Sequence, residues 1–60
     1  MQIQGKTIAI TGGGRGIGRA LALEFAARGG DVALVDLNQA DLDATKQLCE
    51  AEGAAARTYV

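Results

Sequence analysis

The glycines between residues 12 and 18 have the spacing that most clearly suggests chemistry. Gly12, Gly14, Gly16 and Gly18 alternate with other residues. Glycine permits positive φ angles and lets a phosphate approach the backbone closely, and the free N–H groups at the start of a following helix bind anions. With Gly13 there are five glycines in this stretch, and the sequence therefore predicts a pyrophosphate-binding loop over residues 11–18.

Asp36 is the second residue whose position suggests ligand binding. It follows an apolar run at 32–35 and lies about twenty residues beyond the glycines. In dinucleotide-binding folds, an acid at the end of the second strand binds the ribose hydroxyls of the adenosine. The loop and this acid together predict a dinucleotide site.

Three short segments predict the strands that must position these residues. The runs at 8–10 and 32–35 lack polar alternation, which is typical of parallel strands covered on both faces, and 57–60 indicates a third strand. Strands that alternate with helices indicate an α/β fold, here a Rossmann-type parallel sheet in the order β-α-β-α-β. Because such crossovers are right-handed, both helices should lie on one face, with strand order three, two, one. The apolar side chains of the strands are expected to alternate across both faces, which leaves one apolar face bare.

The first helix is predicted over residues 16–28, where two glycines, Gly29 and Gly30, end it. Three residues one turn apart form the stripe expected to face the sheet: Ile17, Leu21 and Phe25. This stripe is expected to be widened by Ala20, Leu23 and Ala27. The residues expected on the solvent side are Arg19, Glu24 and Arg28.

The second helix is predicted to begin after Asn38, whose side chain can cap it, and to end at Gly53. The residues expected to face inward are Leu42, Thr45, Leu48 and Cys49. The charged residues of this helix, Asp41 among them, are expected to form a solvated face.

Three other glycine signatures fit less well. The pattern G-x-G-x-x-G fails because Ile17 and Arg19 stand where it needs glycine. A P-loop would need a lysine and a hydroxyl residue where Arg19 and Ala20 stand. A methyltransferase loop fits the alternating glycines and could use Asp36, but Ile10 stands where that family usually has an acid. It remains the weaker alternative.

The remaining pattern is T-G-x-x-x-G-I-G, from Thr11 to Gly18. With this motif the sequence resembles the short-chain dehydrogenase/reductase family, and the preceding residues 5–10 resemble the family's usual start. The resemblance covers essentially the whole chain, but only the cofactor-binding front of such a protein. It implies that Gly12, Gly16 and Gly18 shape the loop.

The resemblance also implies roles for the residues around the glycines. Arg15 and Ile17 would line the phosphates, and Asp36 with Leu37 would face the adenosine. Arg15 could hold the 2′-phosphate of NADP, whereas the carboxylate of Asp36 would repel it. Since Asp36 is anchored at a strand end and Arg15 is flexible, we expect NAD to be preferred, with NADP possible.

The function implied is an NAD(P)-dependent oxidoreductase that interconverts a small alcohol and a carbonyl compound by hydride transfer. The family's catalytic Tyr-x-x-x-Lys has no match, since Tyr59 is the only tyrosine, so no catalytic residue is assigned. Residues 1–60 are expected to be the N-terminal part of one dinucleotide-binding domain, ending in or near its third strand, and to be inactive and poorly folded alone. The alternative is a Rossmann protein that senses a dinucleotide without catalysis.

The composition of the chain limits the classes of partner that it is expected to bind. A net charge of −1 and a pI near 5.0 give no electrostatic basis for nucleic-acid binding. No apolar run reaches the length of a membrane helix and no signal core is present, so a cytoplasmic location without membrane association is expected. Cys49 has no partner for a disulfide and no metal co-ligands. Family resemblance implies a homo-oligomer, either a dimer or a tetramer.

Overall fold

The computed structural model describes residues 3–60, and its elements follow the predicted order. The strands and helices are β1 (Thr7–Thr11), α1 (Gly16–Ala27), β2 (Asp31–Val35), α2 (Gln39–Ala51) and β3 (Ala56–Tyr59). The prediction of an α/β fold with a Rossmann-type parallel sheet is confirmed.

The three strands form one parallel sheet with β2 in the middle. Thr11 lies beside Val35, and Val35 lies beside Tyr59, so the carboxyl ends of all three strands meet at one edge. Both helices contact β2 and each other, so they lie on the same face of the sheet. The predicted strand order and helix placement are therefore correct. In open parallel sheets the carboxyl edge is where ligands bind.

The hydrophobic core lies between the sheet and the two helices. Its buried residues are Ile10, Ala22, Ala26, Val32, Leu34, Leu42, Cys49, Ala54 and Ala56. The larger strand side chains share one face because Ile8, Ile10, Val32 and Leu34 occupy alternate, paired positions. The opposite face is less apolar than the continuous runs predicted, because its residues in β1 and β2 are Thr7, Ala9, Thr11, Asp31, Ala33 and Val35.

The stripe predicted to bury α1 is wrong at Ile17 and Leu21, whereas Phe25 and Leu23 are partly buried and pack against the core as predicted. Ile17 and Leu21 are 82% and 55% exposed, whereas Ala22 and Ala26 are buried. Gly18 lies one turn before Ala22 and packs directly against the loop. Because the helix approaches its neighbours closely, small residues occupy the contact and the large ones lie to the side.

The ends of the helices agree with the sequence. The Oδ1 atom of Asn38 accepts a hydrogen bond from the Asp41 amide at 3.0 Å, which caps α2. At the other end Gly53 has φ +89°, as expected of a glycine that ends a helix. Leu42, Thr45 and Cys49 are buried as predicted, but Leu48 is 44% exposed and does not face inward.

Two features are absent from residues 3–60. None of the helices there is long and apolar enough to cross a membrane. The same part of the chain has no group of three or more His, Cys, Asp or Glu side chains that could hold a metal ion.

Candidate dinucleotide-binding site

The glycine-rich loop connects β1 to α1 at the carboxyl edge of the sheet. Gly12 and Gly16 have φ angles of +70° and +61°, in the left-handed region that side chains rarely adopt. The Gly13 amide donates to the Val35 carbonyl at 3.1 Å, which ties the loop to the end of β2. The backbone path of the loop therefore depends on glycine at two positions and on the sheet edge.

Two other glycines are required by close packing. A Cβ atom on Gly14 would lie 2.7 Å from Asp36 Oδ2 and 2.8 Å from Asp41 Cβ. A Cβ atom on Gly18 would lie 2.6 Å from the carbonyl carbon of Gly12. By contrast, a Cβ atom on Gly12 or Gly16 would meet nothing within 4 Å. Backbone conformation thus explains glycine at positions 12 and 16, and close packing explains glycine at positions 14 and 18.

The start of α1 presents backbone donors beside this loop. Arg15 precedes the helix in an extended conformation, with φ −161°, and its side chain makes no capping hydrogen bond. The first N–H groups of a helix have no intrahelical acceptor, and they carry the positive end of the helix dipole. The amides of Gly16, Ile17 and Gly18 occupy these positions. The arrangement can bind an anion such as a phosphate.

Asp36 lies directly after β2 and is bound to the loop. Its Oδ2 atom accepts a hydrogen bond from the Gly14 amide at 3.1 Å, and its Oδ1 atom accepts one from the Leu37 amide at 2.7 Å. The hydrogen bonds from Leu37 and Gly14 hold the pKa of the Asp36 carboxyl below its ordinary value of 3.8. Each carboxylate oxygen can accept a further hydrogen bond. The group is therefore ionised, held in place and still able to bind hydroxyls.

A second carboxylate stands near the loop. Arg15 Nε lies 3.9 Å from Asp41 Oδ2, in a pair whose guanidinium side chain is 81% exposed. The charge of Arg15 also contributes to lowering the pKa of Asp36. The guanidinium of Arg19 is turned inward, to the Gly14 carbonyl. Arg15 is therefore the exposed cation that the two carboxylates share on the outer side of the loop.

The structure places the predicted site residues as follows. Gly12, Gly14, Arg15, Gly16, Ile17 and Gly18 lie in one continuous loop and helix start, and Asp36 is hydrogen-bonded to that loop. Leu37 is 90% exposed and contributes its backbone amide to Asp36. The eight residues therefore lie at one edge of the sheet.

Sequence reasoning missed two residues that contact the loop. Arg19 was expected on the solvent side of α1, but it is half-buried and donates to the Gly14 carbonyl from Nη2 at 2.6 Å. Thr45, fully buried in α2, donates to the same carbonyl from Oγ1 at 2.9 Å. Thr45 was predicted to face inward, without a role. A hydroxyl on an otherwise apolar helix face was the signal that could have pointed to it.

Known proteins are similar to this chain in both sequence and fold. A family described as short chain dehydrogenase matches residues 6–60. The chain belongs to the short-chain dehydrogenase family. A relative of this chain, the uncharacterized oxidoreductase YhxC of Bacillus subtilis, is 49% identical over 53 residues, which are 87% of this chain and 19% of the relative. The chain spans about a fifth of the length of the curated relatives it matches.

Solved structures of short-chain dehydrogenases and related enzymes superimpose closely on the chain. An NAD⁺-bound xylitol dehydrogenase matches with a TM-score of 0.94 and 37% identity, over 100% of this chain and 23% of its own. A short chain dehydrogenase from Mycobacterium paratuberculosis, bound to NAD, matches with a TM-score of 0.93 and 32% identity, over 100% of this chain and 27% of its own. The β-α-β-α-β unit of this chain is therefore similar to the corresponding part of enzymes that bind NAD.

Proposed function

We propose that this chain supplies the dinucleotide-binding part of an oxidoreductase that interconverts an alcohol and a carbonyl compound by hydride transfer. The observation that carries the proposal is the connection between the loop and the strand end. The amide of Gly14 donates to Asp36, so the loop proposed to bind the phosphates and the acid proposed to bind the ribose form one unit. This is the geometry that a dinucleotide requires, because its pyrophosphate and adenosine ribose must be bound together.

The residues present fit a dinucleotide at three points. Open space lies beside Gly12 and Gly16, where nothing stands within 4 Å of a Cβ position. The unpaired amides at the start of α1 would bind the phosphates, with Ile17 at the exposed rim. Asp36 would accept hydrogen bonds from the adenosine ribose, beside the backbone of Leu37. When bound, the nicotinamide ring supplies the hydride chemistry, and the residues of this chain only bind and orient it.

We propose NAD rather than NADP as the preferred cofactor. Asp36 is ionised and fixed by two backbone hydrogen bonds, and Asp41 adds a second negative charge near the loop. The exposed guanidinium of Arg15 already lies beside Asp41. A 2′-phosphate would bring further negative charge to two carboxylates that share this cation, which is unfavourable. Structures similar to this chain contain bound NAD, which supports NAD as a cofactor.

The proposed substrate is a small alcohol or carbonyl compound. Relatives and structural neighbours include an epidermal retinol dehydrogenase 2 of Mus musculus and a xylitol dehydrogenase, whose names describe the oxidation of alcohols. The general acid/base of the reaction would come from residues outside 1–60, since Tyr59 belongs to β3. The complete enzyme is proposed to work as a homo-oligomer, by analogy with its family.

Calorimetric titration of the full-length protein with NAD, NADP and S-adenosylmethionine tests this proposal. We expect NAD to bind about tenfold more tightly than NADP, and S-adenosylmethionine not to bind. Replacing Asp36 with Asn should weaken NAD binding and narrow the difference between the two dinucleotides. The control is Glu50→Gln, which removes one exposed negative charge far from the loop and should leave both affinities unchanged. A tenfold preference for NADP would refute the cofactor assignment, and binding of S-adenosylmethionine alone would favour a methyltransferase.

A further inference from the structure

The carbonyl group of Gly14 is held by side chains from both helices. Arg19 Nη2 donates to it at 2.6 Å from α1, and Thr45 Oγ1 donates to it at 2.9 Å from α2. Arg19 Nε also donates to Thr45 Oγ1 at 2.9 Å, so the two side chains are bonded to each other. A second acceptor of Arg19 Nη2 is the carbonyl of Asp41, at 3.3 Å. These contacts join the loop to α1 and α2 at one atom.

The hydrogen bonds in this cluster are mutually consistent. The Thr45 hydroxyl has one proton, which it gives to Gly14, and its lone pairs accept from Arg19. Bonds donated by a guanidinium are charge-assisted and stronger than neutral ones. Thr45 has no solvent-exposed surface, so water does not compete with its bonds. The carbonyl of Gly14 is therefore held firmly in the direction of the two helices.

Holding this carbonyl also sets the orientation of the peptide that follows it. A trans peptide is planar, so the N–H of Arg15 points opposite to the C=O of Gly14. Since that carbonyl points into the contact between α1 and α2, the Arg15 amide points to the outer side of the loop. The other side of Gly14 is fixed as well, because its amide donates to Asp36. Without the inner bonds, the peptide could turn and present its negative oxygen to a bound phosphate.

We propose that Arg19 and Thr45 are positioning residues for dinucleotide binding, which keep the Gly14 carbonyl turned away from the anionic cofactor and the Arg15 amide turned toward it. This proposal rests on the proposed function above. Neither side chain needs to touch the cofactor. Their effect on affinity is exerted through the peptide between Gly14 and Arg15.

Calorimetric titration of full-length variants with NAD tests the proposal. Thr45→Val keeps the shape of the side chain and removes the hydroxyl, and Arg19→Met removes the guanidinium. Each should raise the Kd for NAD by about tenfold or more, since a charge-assisted or buried hydrogen bond is lost. The double variant should be little worse than the weaker-binding single variant, because the two residues act as one unit. Thr45→Ser retains the hydroxyl and should recover most of the affinity.

The matched control is Cys49→Ala. Cys49 is buried one turn after Thr45 on the same helix, farther from the loop. Its replacement should lower the melting temperature and leave the Kd for NAD unchanged, which separates loss of stability from loss of positioning. NMR provides a second readout: the amide resonance of Arg15 should shift on addition of NAD in the wild type and shift much less in Thr45→Val. If Thr45→Val does not fold, Arg19→Met, on a half-exposed side chain, decides the question.

The outcomes distinguish this proposal from the one on which it rests. If the wild-type protein does not bind NAD, both the proposed function and the positioning role are refuted. If the wild type binds NAD and folded Arg19→Met and Thr45→Val proteins bind it equally well, only the positioning role is refuted. Equal losses of affinity in Cys49→Ala and Thr45→Val would also refute it, since the effect would then follow stability alone.

Discussion

Replacing Gly18 with Ala should separate the role of space in the loop from the role of backbone conformation. Gly18 lies in α1, and its added Cβ would stand 2.6 Å from the carbonyl carbon of Gly12 and 3.0 Å from the Cα of Gly13. The carbonyl oxygen of Gly12 would be closer still. To reach an ordinary contact of 3.4 Å, the loop must therefore move by more than roughly 0.8 Å. Forced overpacking of this kind costs about 1–3 kcal/mol of stability. We expect the displaced loop to lose affinity for NAD.

The expected size of the effect follows from that displacement. A misplacement near 1 Å can reduce the rate of a positioned reaction by about 100-fold, so kcat/KM at limiting NAD should fall by a comparable factor. Gly12→Ala should lower stability through backbone strain and not through a steric clash. It meets no atom within 4 Å, but its φ of +70° costs an L-residue about 1–2 kcal/mol. That corresponds to a fall in Tm of about 2–8 °C for a domain of 150–250 residues.

Gly53→Ala is the matched control for conformational strain. Gly53 has φ +89° and nothing within 4 Å, as at Gly12, but it lies at the end of α2 away from the loop. Thermal melts and NAD titrations should show a similar fall in Tm for Gly12→Ala and Gly53→Ala, with wild-type affinity in Gly53→Ala. A folded Gly18→Ala protein with the wild-type Kd for NAD would show that the close packing of Gly18 on the loop is not needed for binding.

Because the pKa of Asp36 is lowered, its ionised form stabilises the fold above pH 3.8, and this contribution is lost as pH falls through the lowered pKa. The difference in Tm between the wild type and Asp36→Asn should therefore shrink as pH falls through that range. A difference in Tm that grows on acidification would contradict this. Burial raises the pKa of the Cys49 thiol above 9.0, so a thiol reagent should label it much faster in urea than in the folded protein, and equal rates would argue against burial. Residues 1–60 alone should show no cooperative melt by circular dichroism. One face of the sheet is uncovered, and a chain of this size buries only about 60% of its unfolded surface. A sharp thermal transition of the monomer would refute this.

Local patterns in the sequence were sufficient to predict the strands and helices and the position of the candidate site. The strand and helix order, the cap at Asn38 and the glycine that ends α2 depend on neighbouring residues, so they can be predicted without knowing the fold. The place of the glycine-rich loop and of Asp36 follows equally, because parallel strands bring their carboxyl ends to one edge. Handedness then assigns both helices to one face.

The tertiary structure alone decided which face of α1 is buried and how the loop is held. Periodicity favoured the large residues Ile17 and Leu21, but the closeness of approach between α1 and its neighbours selects Ala22 and Ala26. The bonds that join Arg19 and Thr45 to Gly14 span separations of 5 and 31 residues and converge on one carbonyl. A sequence pattern records the residue types and their spacing along the chain. It does not record the distance between two packed helices, and that distance determines which side chains are buried and which reach the loop.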